Sequence, residues 1–212
     1  MTTAFGTVLV IAKEPVPGRV KTRLVPPLTH HQAATLAGAA LHDTLAAADA
    51  VRARKHVLAF DGDVSGWLPH GWTHVDQPEG GLDERLGAAF DAAHAGVPAV
   101  LVGMDTPQLR PVHLDAFDPV RYDACLGMAT DGGFWTIGFR DPSVARSVIS
   151  GVPMSTSDTG AEQLRRMQSA GLDVQLLGVL TDVDTVADAD AVAAAAPDTR
   201  FAAVLTGMRR AA

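Results

Sequence analysis

The stretch Gly6-Thr7-Val8-Leu9-Val10-Ile11-Ala12 is a continuous, largely β-branched apolar run too short for a helix, and a loop-forming segment from Lys13 to Pro27 follows it directly. Such a run predicts a strand covered on both faces, as in a parallel sheet. The segment after it holds four prolines and Gly18, so its shape is partly fixed without being regular structure. Thr29 and Gln32 stand at capping-box spacing, and Ala33, Leu36, Ala37, Ala40, Leu41, Thr44, Leu45 and Ala48 then recur at helical intervals. The pattern predicts a helix that packs back on the first strand.

Working outward, His56–Phe60, Trp72–Val75 and Ala99–Gly103 read as strands, with a helix over Leu82–Ala95 opened by Gly80-Gly81. Asp123–Ala129 and Phe134–Phe139 read as two more strands joined by the turn Asp131-Gly132-Gly133. Helices are expected over Pro142–Ile149 and Asp158–Ala170, a last strand over Val174–Leu177, and terminal helix after Val186. Alternation of this kind predicts a three-layer α/β/α fold on a mostly parallel sheet, mixed in its second half, with ligand sites at the carboxyl ends of strands. No repeat or composition break divides residues 1–212, so one domain is expected.

Composition narrows the classes. Apolar residues make up 47% of the chain and charged residues 19%, enough burial to offset the entropy of ordering. A formal charge of -7 is the wrong sign for a nucleic-acid binder. Cys125 is the only cysteine, which excludes an internal disulfide and a thiolate metal cluster. With no signal-peptide pattern and no run of about 20 apolar residues, the reading is cytoplasmic, without a membrane span. A homodimer is left open.

Chemistry gathers in four places. Around Gly18, the cations Lys13, Arg19, Lys21 and Arg23 stand together in an otherwise acidic chain, as a phosphate-binding loop requires; a solvated basic loop is the plainer reading. Lys21-Thr22 is not a P-loop, because Val20 rather than glycine precedes the lysine. Asp105, just beyond a buried strand and two residues before Pro107, suits a divalent-cation ligand or a helix cap. Asp182 and Asp184 fall on one side of an extended segment and suit the same ion, or a polar turn. Asp131-Gly132-Gly133-Phe134-Trp135 and Ser155-Thr156 offer walls for an acceptor pocket, or only a hairpin turn and a cap. Gln77 and the Asp83-Glu84-Arg85 stretch suit the nucleotide side of such a site, or, for the charged stretch, ion pairing on a helix surface. His70 and His74 are separated by Gly71 and preceded by Pro69, which argues against a helical zinc face.

Together these residues resemble a known group: Ala12-Lys13-x-Pro15-x-Pro17-Gly18-x-x-Lys21-Thr22-Arg23-Leu24, Asp105-x-Pro107-x-Leu109, Asp131-Gly132-Gly133-Phe134-Trp135-x-Ile137-Gly138, Ser155-Thr156 and Asp182-Val183-Asp184-Thr185. The chain is similar to small bacterial glycosyltransferase A-type proteins, relatives of the 2-phospho-lactate guanylyltransferases, from about Val8 to Pro197. That resemblance implies a nucleotide-diphospho-sugar transferase fold. It also implies nucleotide binding by Ala12, Lys13, Gly18, Lys21 and Arg23, with Gln77 beside them. Asp105, Asp182 and Asp184 would hold Mg²⁺ or Mn²⁺, and Gly132, Gly133, Trp135, Ser155 and Thr156 would form the acceptor pocket. Gly81 and Asp83 depart from the family pattern, which places its acid one residue after the glycine.

The first functional expectation is a metal-dependent glycosyltransferase using a nucleotide sugar and a small-molecule acceptor, with Asp105, Lys21 and Asp131 at the chemistry. The alternative is a nucleotidyltransferase acting on a nucleoside triphosphate and a small phosphorylated substrate. A third is a non-catalytic nucleotide-binding module.

Overall fold

The computed structural model describes residues 5–210. Its seven strands are β1 (Phe5–Lys13), β2 (Ala53–Asp61), β3 (Thr73–Asp76), β4 (Ala99–Gly103), β5 (Ala124–Ala129), β6 (Phe134–Phe139) and β7 (Val174–Leu180). They form one sheet in the order β3-β2-β1-β4-β6-β5-β7. Every neighbouring pair is parallel except β4 with β6 and β5 with β6. Strand β6 alone runs backwards, so β1, β4, β5 and β7 all end at the same edge of the sheet. The expected mixed character of the second half therefore comes from a single strand, reversed by the short Asp131-Gly132-Gly133 link.

The helices are α1 (His30–Asp49), α2 (Leu82–Phe90), α3 (Pro111–Asp115), α4 (Ala145–Ile149), α5 (Thr159–Ser169), α6 (Val186–Ala195) and α7 (Arg200–Arg210). Alternate residues of β1 divide them between two faces, as strand periodicity requires. Val8, Val10 and Ala12 pack with Leu41 and Leu45 of α1, whereas Leu9 and Ile11 pack with Leu86 and Phe90 of α2 and with Val148 and Ile149 of α4. The two layers and the sheet between them make the α/β/α sandwich.

Helix α1 is apolar nearly all round because it is covered twice. One side faces the sheet; Ala33, Leu36 and Ala40 on the other pack against Phe201 and Leu205 of α7 and Val192 of α6. Its start has the expected reciprocal cap, with Gln32 N–H donating to Thr29 Oγ1 at 3.2 Å and Thr29 N–H to Gln32 Oε1 at 2.8 Å. Asp43 on α1 in turn caps α7, accepting from the N–H groups of Arg200 at 3.0 Å and Phe201 at 2.7 Å.

Several boundaries differ from expectation. The helix expected through Ala95 ends at Phe90, because Asp91, Ala92 and Ala93 switch to tighter i→i−3 bonds on Ala88, Ala89 and Phe90. The expected strand start at Trp72 moves to Thr73, since the Trp72 indole is buried and donates to Asp49 Oδ1 at 2.8 Å. Pro197 divides the terminal helix into α6 and α7. The segment from Pro142 begins as a 3-10 turn and becomes α-helical only at Ala145.

Candidate functional site

Segments that follow β1, β3, β4, β5 and β7, with the residues before α5, border a cleft of about 890 Å³ at the common edge of β1, β4, β5 and β7. This is where open α/β sheets place ligands. Val20 and Leu24, both buried, pin the loop after β1 to the core. Between them Lys21 adopts a left-handed backbone conformation, φ 47° and ψ 40°, rare for a residue with a side chain. Its ammonium is turned inward and lies 2.9 Å from Asp105 Oδ2 and 3.2 Å from Asp184 Oδ1, with the side chain only 9% exposed. Burial works against the Lys21 charge, but the Asp105 and Asp184 carboxylates more than offset it and hold its pKa above the ordinary value. Arg23 reaches the other oxygen of Asp184 at 3.3 Å from a mostly exposed position.

The acids come from strand ends distant in sequence. Asp105 follows β4. The Val183 N–H donates to the Asp105 carbonyl at 3.0 Å, which fixes the Asp182–Asp184 segment beside it. Gln108 holds the same segment from below, its amide donating to Thr181 O at 2.7 Å. Burial pushes the Asp182 carboxyl up to about 7, and the negative charges of Asp105, Asp131 and Asp184 add to that against the opposing Lys21. Thr185 and Asp188 cap α6 reciprocally.

The opposite wall is the β5–β6 link. Gly133 N–H donates to Asp131 Oδ1 at 2.9 Å, an Asx-turn that sets the Asp131 carboxyl at the mouth. Gly132, at φ 91°, leaves room that a Cβ would not: its Cβ would collide with the Ser157 carbonyl group. Gly160 N–H donates to Gly132 O at 2.8 Å, so the link and the start of α5 are fastened together. Ser155, at φ 60°, and Thr156 border the cleft there. The pairing register of β5 shifts around Gly127–Ala129, just before this link.

Ala12, Lys13, Lys21, Arg23, Gln77, Asp105, Asp131, Gly133, Trp135, Ser155, Thr156, Asp182 and Asp184 thus border one cleft. Gly18 and Gly132 do not line it. Gly18, at φ 80°, reverses the chain in a turn closed by Arg19 N–H on Val16 O at 3.0 Å, and Gly132 faces α5. Trp135 borders the cleft, but its side chain is buried and its indole donates to Gly178 O at 2.9 Å, so it supports the wall. Gln77 donates to Ala12 O at 2.6 Å and Ala59 O at 3.0 Å, and therefore ties β1 to β2. Sequence reasoning misses Met154 and Asp188, which also line the cleft; only Asp188 gives a signal, as the acid three residues after a capping threonine.

The donor set can be tested against a divalent ion. Among the described residues no group of three or more histidine, cysteine or acidic side chains stands ready-made at metal-binding spacing. Between Asp105 and Asp184 stands the Lys21 ammonium. The donors are carboxylate oxygens, which suit Mg²⁺ or Mn²⁺. The residues fit the ion in kind.

A seven-stranded sheet of this order with its site at the strand ends defines a protein of the nucleotide-diphospho-sugar transferase-like α/β fold. Residues 31–156 match the family described as "Uncharacterized protein conserved in bacteria (DUF2064)", more than half of the chain, and the protein belongs to that family. The chain is similar to a "putative nucleotide-diphospho-sugar transferase" from Desulfovibrio desulfuricans G20, at 28% identity and a TM-score of 0.85 over 97% of this chain and 95% of that one. Rv0371c from Mycobacterium tuberculosis H37Rv, in a complex with manganese, shares the fold at 22% identity and a TM-score of 0.53, over 90% of this chain and 98% of that one. So does 2-C-methyl-D-erythritol 4-phosphate cytidylyltransferase from Thermus thermophilus, at 17% identity and 0.54, over 92% and 100%. No curated protein matches the chain. No described helix is long and apolar enough to cross a membrane.

Proposed function

We propose that the protein is a transferase acting on an activated nucleotide, and specifically a divalent-metal-dependent glycosyltransferase that uses a nucleotide-diphosphate sugar. The observation that carries this reading is the meeting of Lys21 from the end of β1 with Asp105 and Asp184 from the ends of β4 and β7. A diphosphate in the cleft would find Lys13, Lys21 and Arg23, the last two interleaved with the acids. The similarity to the Desulfovibrio protein supports the choice of donor.

In this reading Asp105, Asp182 and Asp184 hold Mg²⁺ or Mn²⁺. When bound, the ion neutralises charge that grows on the departing diphosphate. Lys21 and Arg23 supply preorganised positive charge to the same phosphates. Ser155 and Thr156 would orient the acceptor through their hydroxyls, and Asp131, held by Gly133 N–H, would take the acceptor's proton.

Nucleotidyl transfer is the second reading. It is favoured by the four basic side chains at the cleft, Lys13, Lys21, Arg23 and Arg85, and by the shared fold with a synthetase solved in complex with CTP. Incubation with Mn²⁺ and panels of nucleotide sugars and nucleoside triphosphates, with small-molecule acceptors, separates the two. Release of nucleoside diphosphate supports glycosyl transfer, and release of pyrophosphate supports the second reading. Absence of either product, with nucleotide affinity unchanged by Asp105→Asn, would contradict both.

A further inference from the structure

We infer that Lys21 is the resident counter-ion of the acid cluster and must vacate it before a divalent ion enters, so that ion and anionic nucleotide bind as mutually dependent ligands. The inference rests on the metal-binding reading of Asp105, Asp182 and Asp184 above, and adds which group stands in the ion's way.

The ammonium bonds one oxygen of Asp105 at 2.9 Å and one of Asp184 at 3.2 Å, so two of the three acids are already satisfied by a cation. A Mg²⁺ or Mn²⁺ ion takes such oxygens at about 2.0–2.2 Å, and an ammonium and a divalent ion cannot share the same two oxygens, Asp105 Oδ2 and Asp184 Oδ1, without strong repulsion. Arg23 does not present the same obstacle, because its side chain is 73% exposed and can turn into solvent. Lys21 has no such exit. Its side chain is enclosed, and its left-handed backbone is clamped between the buried Val20 and Leu24. The open direction is the cleft itself, which Lys21 lines. A phosphate there gives the flexible lysine stem a new partner, and the vacated oxygens then face the incoming ion. Coupling of this kind is reciprocal: the factor by which nucleotide tightens the ion equals the factor by which the ion tightens nucleotide.

Water-proton relaxation, which reports protein-bound Mn²⁺, tests this on the full chain with UDP, GDP and CDP as probes. Wild type is expected to take Mn²⁺ weakly alone and at least tenfold more tightly with the preferred diphosphate. Lys21→Met is expected to bind Mn²⁺ alone at least tenfold more tightly than wild type and to respond little to the diphosphate. Thermal unfolding checks the fold of the variant, which should gain more in Tm from Mn²⁺ than wild type does. If Lys21→Met does not fold, the wild-type comparison with and without diphosphate decides. Equal Mn²⁺ affinity in wild type and Lys21→Met, or wild-type affinity indifferent to every diphosphate, overturns the inference while leaving the cation site standing. Failure of both proteins to bind Mn²⁺ under any condition overturns the metal reading and this inference with it.

Discussion

Val183 donates its backbone N–H to the carbonyl oxygen of Asp105 at 3.0 Å, joining the end of β7 to the end of β4. Between those strands lie β6 and β5, so this one bond spans the sheet edge and sets both acids of the Asp182–Asp184 pair against Asp105. The arrangement depends on backbone geometry as much as on the side chains that carry charge.

Gln108 reinforces it from the side. Replacing Gln108 by alanine removes the 2.7 Å bond to Thr181 O, worth about 1 kcal/mol, and should lower Tm by about 2–4 °C. Mn²⁺ affinity should fall several-fold, because the acid segment is less well placed. An unchanged Mn²⁺ titration in a variant with the expected Tm loss would show that Val183 alone fixes the segment.

Asp105→Asn keeps the shape of the side chain and removes its charge. With Asp105 39% exposed, the lost ion pair costs about 1 kcal/mol after solvent screening, so the variant should fold. Metal-dependent nucleotide binding should disappear in calorimetry, and its persistence would remove Asp105 from the site.

Gly132→Ala tests the link between the Asp131 turn and α5. The new methyl group would run into the Ser157 carbonyl group, and φ 91° is unfavourable for alanine in any case. A loss of about 2–4 kcal/mol is expected in denaturant unfolding, with displacement of the Ser155–Thr159 wall. A variant as stable as wild type would mean that this wall yields.

Cys125 is buried in β5, and burial pushes its thiol well above the usual cysteine range. The native protein should leave a thiol-reactive disulfide reagent unconsumed for hours and react stoichiometrically once unfolded. Rapid native labelling would count against the close packing of Cys125 against Gly138.

His113 supplies a pH test. Burial first, and then the Arg110 charge, hold its pKa below 6.5, while its Nδ1 accepts from Arg110 N–H at 3.1 Å. The unfolded chain therefore binds this proton before the folded one does. The stability due to neutral His113 is complete above about pH 6.5 and declines as pH falls through the lower folded value. Between pH 7.5 and 5.5 wild type should lose more Tm than His113→Gln; equal losses would assign the acid sensitivity elsewhere.

The elements and the cleft are legible in the sequence to different depths. Strands β4 and β6 match their expected spans because apolar runs bounded by glycine, proline or charge leave little choice of register. Strand β2 begins three residues earlier than its apolar run, since Ala53 to Lys55 pair with β1 through backbone bonds that ignore side-chain polarity. The five-residue α3 escapes the sequence because its hydrophobic pattern is too short to register, although Pro111 marks its start. At the site, Lys21, Asp105, Asp182 and Asp184 stand out as charged groups beside strand ends. Gln77 and Trp135 border the cleft as expected, but their polar atoms serve carbonyls of other strands, pairings that no local spacing reveals. A glycine that turns a loop, as Gly18 does, and one that admits a phosphate look alike in sequence.

Helix α1 has a final consequence for how the chain is made. Its outer flank, formed early in synthesis, waits for Phe201 and Leu205, which leave the ribosome more than 150 residues later. Until then Leu36 and its neighbours form an uncovered sticky strip, a natural holding point for a chaperone and the place where a chain shortened before α7 would clump.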